Sequence, residues 1–71
     1  MRVSCRLRVV MAERGIRHIT DLAARTGISR STLTALWQDR NDGITFDVLA
    51  RLCEALQCTP GDLLVLVPDN E

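Results

Sequence analysis

The run "ISRSTLTALWQ" spaces Arg30, Ser31, Thr34 and Gln38 at intervals of one, four and eight residues from the arginine. On a helix that spacing gathers all four on one face. A guanidinium, two short hydroxyls and a carboxamide side by side form a hydrogen-bonding surface, and none of them titrates near neutral pH. Leu33 and Leu36 fall on the other side of the same helix, where they can dock it to a core. Elsewhere the chain offers no paired carboxylates, no nucleophile–base set and no phosphate-cradling glycine loop. With 71 residues it has little room for a substrate pocket, so catalysis and a cofactor are not expected.

Metal and disulfide chemistry are equally unsupported. The cysteines Cys5, Cys53 and Cys58 are odd in number, contain no C-x-x-C pair and share the chain with one histidine, His18. A four-ligand zinc site does not assemble from that set, and buried, reduced cysteine acting as a small hydrophobe is the expectation.

The elements that must position the polar face can be read from capping and periodicity. Ser4 can cap a first helix whose apolar residues Leu7, Val10 and Met11 recur at i, i+3 and i+4, and Gly15 can close it. A second helix lies in "HITDLAARTG", with Ile19, Leu22 and Ala23 inward and Gly27 as its stop; it can begin at His18 or at Thr20. Ser29 caps the third. After a turn at Asn41 to Gly43, Thr45 caps a fourth helix with an inward stripe of Phe46, Leu49, Leu52, Cys53 and Leu56. Thr59-Pro60-Gly61-Asp62 resembles the start of a short fifth helix, with proline at its first position. "LLVLVP" follows as a β-rich tail that can pair with "MRVSC".

Charge is balanced overall but not along the chain. Residues 1–40 carry eight arginines against Glu13, Asp21 and Asp39, a net +5, while residues 41–71 carry Arg51 against six carboxylates, a net −5. Such asymmetry suits a molecule that turns one face to a polyanion. No apolar run approaches the length of a membrane span, the longest being Leu63 to Val67, and "MRVSCRLRVV" lacks the uninterrupted apolar stretch of a secretory signal. The expected location is the cytoplasm, with no membrane partner.

Two helices joined by a short glycine-containing turn make a helix-turn-helix. The demands of that motif are met in order by Ala23, small where the next helix crosses; Gly27, free to take positive φ; Ile28, plugging the corner; and Leu33 and Leu36, anchoring the second helix. With "DLAARTGISRSTL" and "TFDVLARLCEALQCTPGDLL" both in place, the chain over roughly residues 5–66 resembles the Cro and phage-repressor (XRE) family. The fold this implies is all-α, a lambda-repressor-like bundle of about five helices with short terminal β-strands. One domain over residues 1–71 is expected, with the motif at 19–38 and strands at about 2–5 and 64–67.

The resemblance also implies binding of double-stranded operator DNA as a homodimer. Carried over by position, Arg30, Ser31 and Thr34 are the base-reading residues, and His18, Thr20, Gln38, Arg40 and Thr45 meet phosphate. Ala35 departs from the longer polar base-reader that many members place there. Many members also pair a glutamate ending the recognition helix with an arginine late in the first helix. The matching positions here are Trp37 and Met11, so packing of one against the other is expected, an exposed Trp37 facing a partner or DNA being the alternative. The favoured function is transcriptional regulation, by repression through promoter occlusion. The competing one is an antitoxin-like or adaptor module that binds an unidentified protein through the acidic, apolar C-terminal half.

Overall fold

Residues 1–40 and 43–68 are described by the computed structural model of the chain; Asn41 and Asp42 of the expected turn lie outside them. Along the chain come β1 (Arg2–Cys5), α1 (Leu7–Glu13), α2 (Ile19–Thr26), α3 (Arg30–Trp37), α4 (Phe46–Leu56), α5 (Pro60–Leu63) and β2 (Leu64–Val67). Among the described residues these are the five helices and two short terminal strands expected from the sequence.

Caps set most of the boundaries. Ser29 and Thr45 sit in extended backbone, and each side-chain oxygen accepts a backbone N–H three residues on, from Thr32 and Val48. Each bond satisfies a donor the helix cannot pair internally. Gly15 follows the end of α1 with φ +73°, and Gly27 ends α2 with φ +75°, its N–H donating to the Ala23 carbonyl at 2.8 Å. The open choice at the start of α2 falls to His18, which occupies the N-cap in extended backbone but contributes no side-chain bond.

At α1 the expectation fails. Its N-cap is Arg6, without a side-chain bond, because Ser4 and Cys5 are drawn into β1. The Arg6 N–H instead donates to the Leu63 carbonyl at 2.6 Å, which closes the N-terminal strand onto the end of α5. At α5 the Thr59 N–H donates to Asp62 Oδ2 at 2.9 Å, and Pro60 holds the first helical position, where no N–H is needed.

The core is built from Leu7, Val10, Met11, Ile16, Leu22, Ile28, Leu33, Leu36, Leu52, Leu56 and Leu63, all nearly inaccessible to solvent. Phe46 does not join them. It is 90% exposed, although it stands three residues before Leu49. At about 100° per residue, Phe46 lies some 100° around α4 from the line through Leu52 and Leu56, outside the arc that faces the core. Val48 and Ile44 pack there in its place. The cysteines are half-buried rather than fully buried and carry free thiols. Burial pushes the Cys5 thiol above its ordinary range and raises Cys58 to about 11, with neighbouring Cys53 adding to the latter.

β1 and β2 pair antiparallel, Arg2 with Val67, Val3 with Leu66, Ser4 with Val65 and Cys5 with Leu64. No helix among the described residues is long and apolar enough to cross a membrane.

Candidate nucleic-acid interface

Helix α3 owes its orientation to two buried leucines and a constrained corner. Leu33 and Leu36 are buried at the bottom of the helix, and Ile28 is buried in the turn that precedes it. Between α2 and Ile28, Thr26 is buried with its polar atoms satisfied. Its hydroxyl donates to the Leu22 carbonyl at 2.8 Å and accepts the Ile28 N–H at 3.2 Å. Arg51 of α4 reaches across to donate to the Thr26 carbonyl at 3.2 Å, while its Nε pairs with Asp47 at 3.1 Å. The corner is therefore clamped from α4. Neither Thr26 nor Arg51 was singled out by the sequence; the only trace of the clamp there is the i, i+4 spacing of Asp47 and Arg51.

With the corner fixed, Arg30 and Ser31 occupy the first turn of α3 and are exposed. The Arg30 side chain has no hydrogen bond or ion pair among the described residues. Ser31 Oγ lies 3.4 Å from Ser29 Oγ, so that hydroxyl is partly engaged by the cap. Thr34, one turn on, is half-buried, as is Ala35. His18 and Thr20 are exposed at the start of α2, and Thr45 is exposed at the start of α4 with its hydroxyl oxygen accepting from Val48. Gln38 and Arg40 are exposed and line one groove at the C-terminal end of α3.

That end of α3 is tied down by a residue the sequence did not advertise. Asp39 takes φ +58°, and its carboxylate accepts from Ser4 Oγ at 2.7 Å, the Cys5 N–H at 2.9 Å and Arg2 Nη1 at 3.2 Å. The Cys5 N–H first, then the Ser4 hydroxyl and the Arg2 guanidinium, hold this carboxyl below its ordinary value. One side chain thus fastens β1 to the end of α3. Positive φ at a non-glycine residue is uncommon, and Asp tolerates it better than most.

Trp37 is half-buried against the core cluster to which the buried Met11 belongs, and the group over its ring is Arg8 of α1, with the guanidinium carbon 5.0 Å from the ring centroid. The sequence points to Met11, or to a partner or DNA, for this position, and gives no sign of the cation.

A helix docked through Leu22, a glycine turn and a second helix that turns Arg30 and Ser31 outward define a helix-turn-helix protein. The chain belongs to the family of Cro/C1-type HTH DNA-binding domains, whose family model matches residues 6–69. It is 31% identical, over its full 71 residues and 83% of the other chain, to a Bacillus subtilis (strain 168) protein described as the uncharacterized HTH-type transcriptional regulator YozG. No solved structure gave a significant match.

Proposed function

We propose that this DNA-binding domain reads a specific duplex sequence, that it is a transcriptional regulator, as the name of its Bacillus relative calls that protein, and that it represses by occupying a promoter. The observation that carries the reading is α3 itself. Its buried Leu33 and Leu36 leave Arg30 and Ser31 exposed at the leading turn, with the Arg30 side chain unengaged. In this reading the N-terminal half of α3 enters the major groove, and Arg30, Ser31 and Thr34 meet base edges. His18, Thr20, Gln38, Arg40 and Thr45 take phosphates, which fixes register without reading sequence.

Residues 1–71 act as one domain in the cytoplasm, and two copies bind together. One recognition helix contacts too few base pairs to be selective, whereas a two-fold pair reads half-sites about 34–36 Å apart. The terminal sheet supports the pairing, since Val3 and Leu66 are cross-strand partners, share a face and are both exposed. Selection of bound duplexes from a random pool, repeated with Arg30→Ala, tests the reading. A recovered motif that loses one position in the variant supports it, and recovery of unenriched sequence from both proteins refutes it.

A further inference from the structure

An open groove of about 400 Å³ lies between the start of α1 and the C-terminal end of α3, lined by Arg6, Arg8, Trp37, Gln38, Asp39 and Arg40 together with part of β1. Three guanidiniums meet there with one carboxylate. Asp39 is already engaged by Ser4, Cys5 and Arg2, and among the described residues none of Arg6, Arg8 and Arg40 forms an ion pair. The Asp62 carboxylate acts on Arg6 from outside the lining, but neither Arg8 nor Arg40 has an ion-pair partner among the described residues, so the groove is cationic.

Arg8 differs from the other two in being held. Its guanidinium lies 5.0 Å over the Trp37 ring, an arrangement that orients a cation without neutralising it. A carboxylate at position 37 would have orientated Arg8 and cancelled its charge. Stacking on the ring face leaves the N–H donors at the edge of the fork available to an oxyanion, and that fork matches the geometry of two phosphate oxygens.

Building on the proposed DNA-binding reading, we propose that this groove seats a phosphate of the duplex backbone, with Arg8 as the positioned donor and Arg6 and Arg40 as flanking charges. Duplex DNA is the occupant because the groove continues from the C-terminal end of the helix that presents Arg30 and Ser31, and Gln38 and Arg40 belong to both surfaces. Helix α1 then belongs to the interface, gripping the backbone at the end of α3 away from its base-reading turn. The contact adds affinity and salt dependence but no sequence information.

The test measures binding of the full chain to a selected duplex and to a scrambled duplex of equal length, between about 50 and 200 mM salt. Each phosphate contact contributes about 0.9 to the slope of log affinity against log salt, so over that range wild type should lose about three- to four-fold more affinity than Arg8→Ala for each bound copy, or about twelve-fold for a bound dimer. The ratio of selected to scrambled binding should stay unchanged, and Arg8→Lys should restore most of the slope. Trp37 emission should respond to duplex and not to inorganic phosphate alone at matched ionic strength.

Should circular dichroism show Arg8→Ala unfolded, Arg6→Ala carries the same slope measurement. An unchanged slope in a folded variant, with wild-type binding intact, overturns this proposal alone; so does a changed selected-to-scrambled ratio, which would make Arg8 a base reader. A Trp37 response to inorganic phosphate alone would reassign the groove to a free anion. Absence of any duplex binding by wild type would overturn it together with the proposed function.

Discussion

At Gly27 the backbone takes φ +75°, and a Cβ built there would stand 3.3 Å from Arg51 Nη1. An L-residue in left-handed backbone costs about 1–2 kcal/mol, and the Arg51 side chain would also have to shift from the Thr26 carbonyl. Gly27→Ala is expected to lower stability by about 1–2 kcal/mol in urea unfolding; an unchanged midpoint would show that the corner relaxes freely. The need for glycine was legible because a short turn between two amphipathic runs leaves no other residue that reverses the chain so cheaply. Arg51 was not, since a charged residue on an exposed helix face gives no sign of which carbonyl it will find. Three residues beyond the corner, Arg30 answers to a different physics. A bidentate arginine–guanine pair discriminates by about 1–3 kcal/mol, so Arg30→Ala should weaken the preferred duplex by that amount and a random duplex far less. Equal losses on both would make Arg30 a phosphate contact.

At the scale of elements, periodicity and caps located all five helices, yet two details escaped. Ser4 reads as an N-cap because it precedes an amphipathic run, but pairing with β2 pulls it into a strand and delivers its hydroxyl to Asp39. Phe46 reads as core because it is large and near the stripe, and the angular position of the first helical residue puts it outside. Both errors arise where tertiary pairing or the limit of the core overrides local pattern.

The Asp39 fastening has a pH signature. Its folded-state carboxyl is held below the ordinary 3.8 by Cys5, Ser4 and Arg2. A group depressed in the folded state contributes stability above its unfolded value and loses it as pH falls through the folded value. Thermal unfolding should show this contribution constant from neutrality to about pH 5 and declining below pH 4. In Asp39→Asn that part of the acid dependence should be missing. If the two proteins lose stability in parallel below pH 4, the β1–α3 fastening does not depend on the carboxylate's charge.

Over the whole molecule, the +5 of residues 1–40 and the −5 of residues 41–71 divide a neutral chain into a basic part carrying α1 to α3 and an acidic part carrying α4 to β2. That division was legible in the sequence; the gathering of Arg6, Arg8 and Arg40 into one groove was not, because it depends on how α1 crosses the end of α3. Among the described residues the terminal sheet has two strands; Asp39 takes the Cys5 N–H of β1, no third strand covers β2, and the Val3–Leu66 pair faces solvent. An exposed apolar edge invites a further strand. Leu66→Asp is expected to shift the chain from dimer to monomer in ultracentrifugation at tens of micromolar protein. A wild type that sediments as a monomer both alone and with duplex would remove the dimer from the account.

In this reading α3 presents a sequence-reading surface to duplex DNA. Selection of bound duplexes from a random pool, at low and at near-physiological salt, tests it most directly. An enriched motif is expected at both salts, with weaker overall binding at the higher and two related half-sites about one helical turn apart. Recovery of sequences no different from the starting pool, or no recovery at either salt, would contradict it.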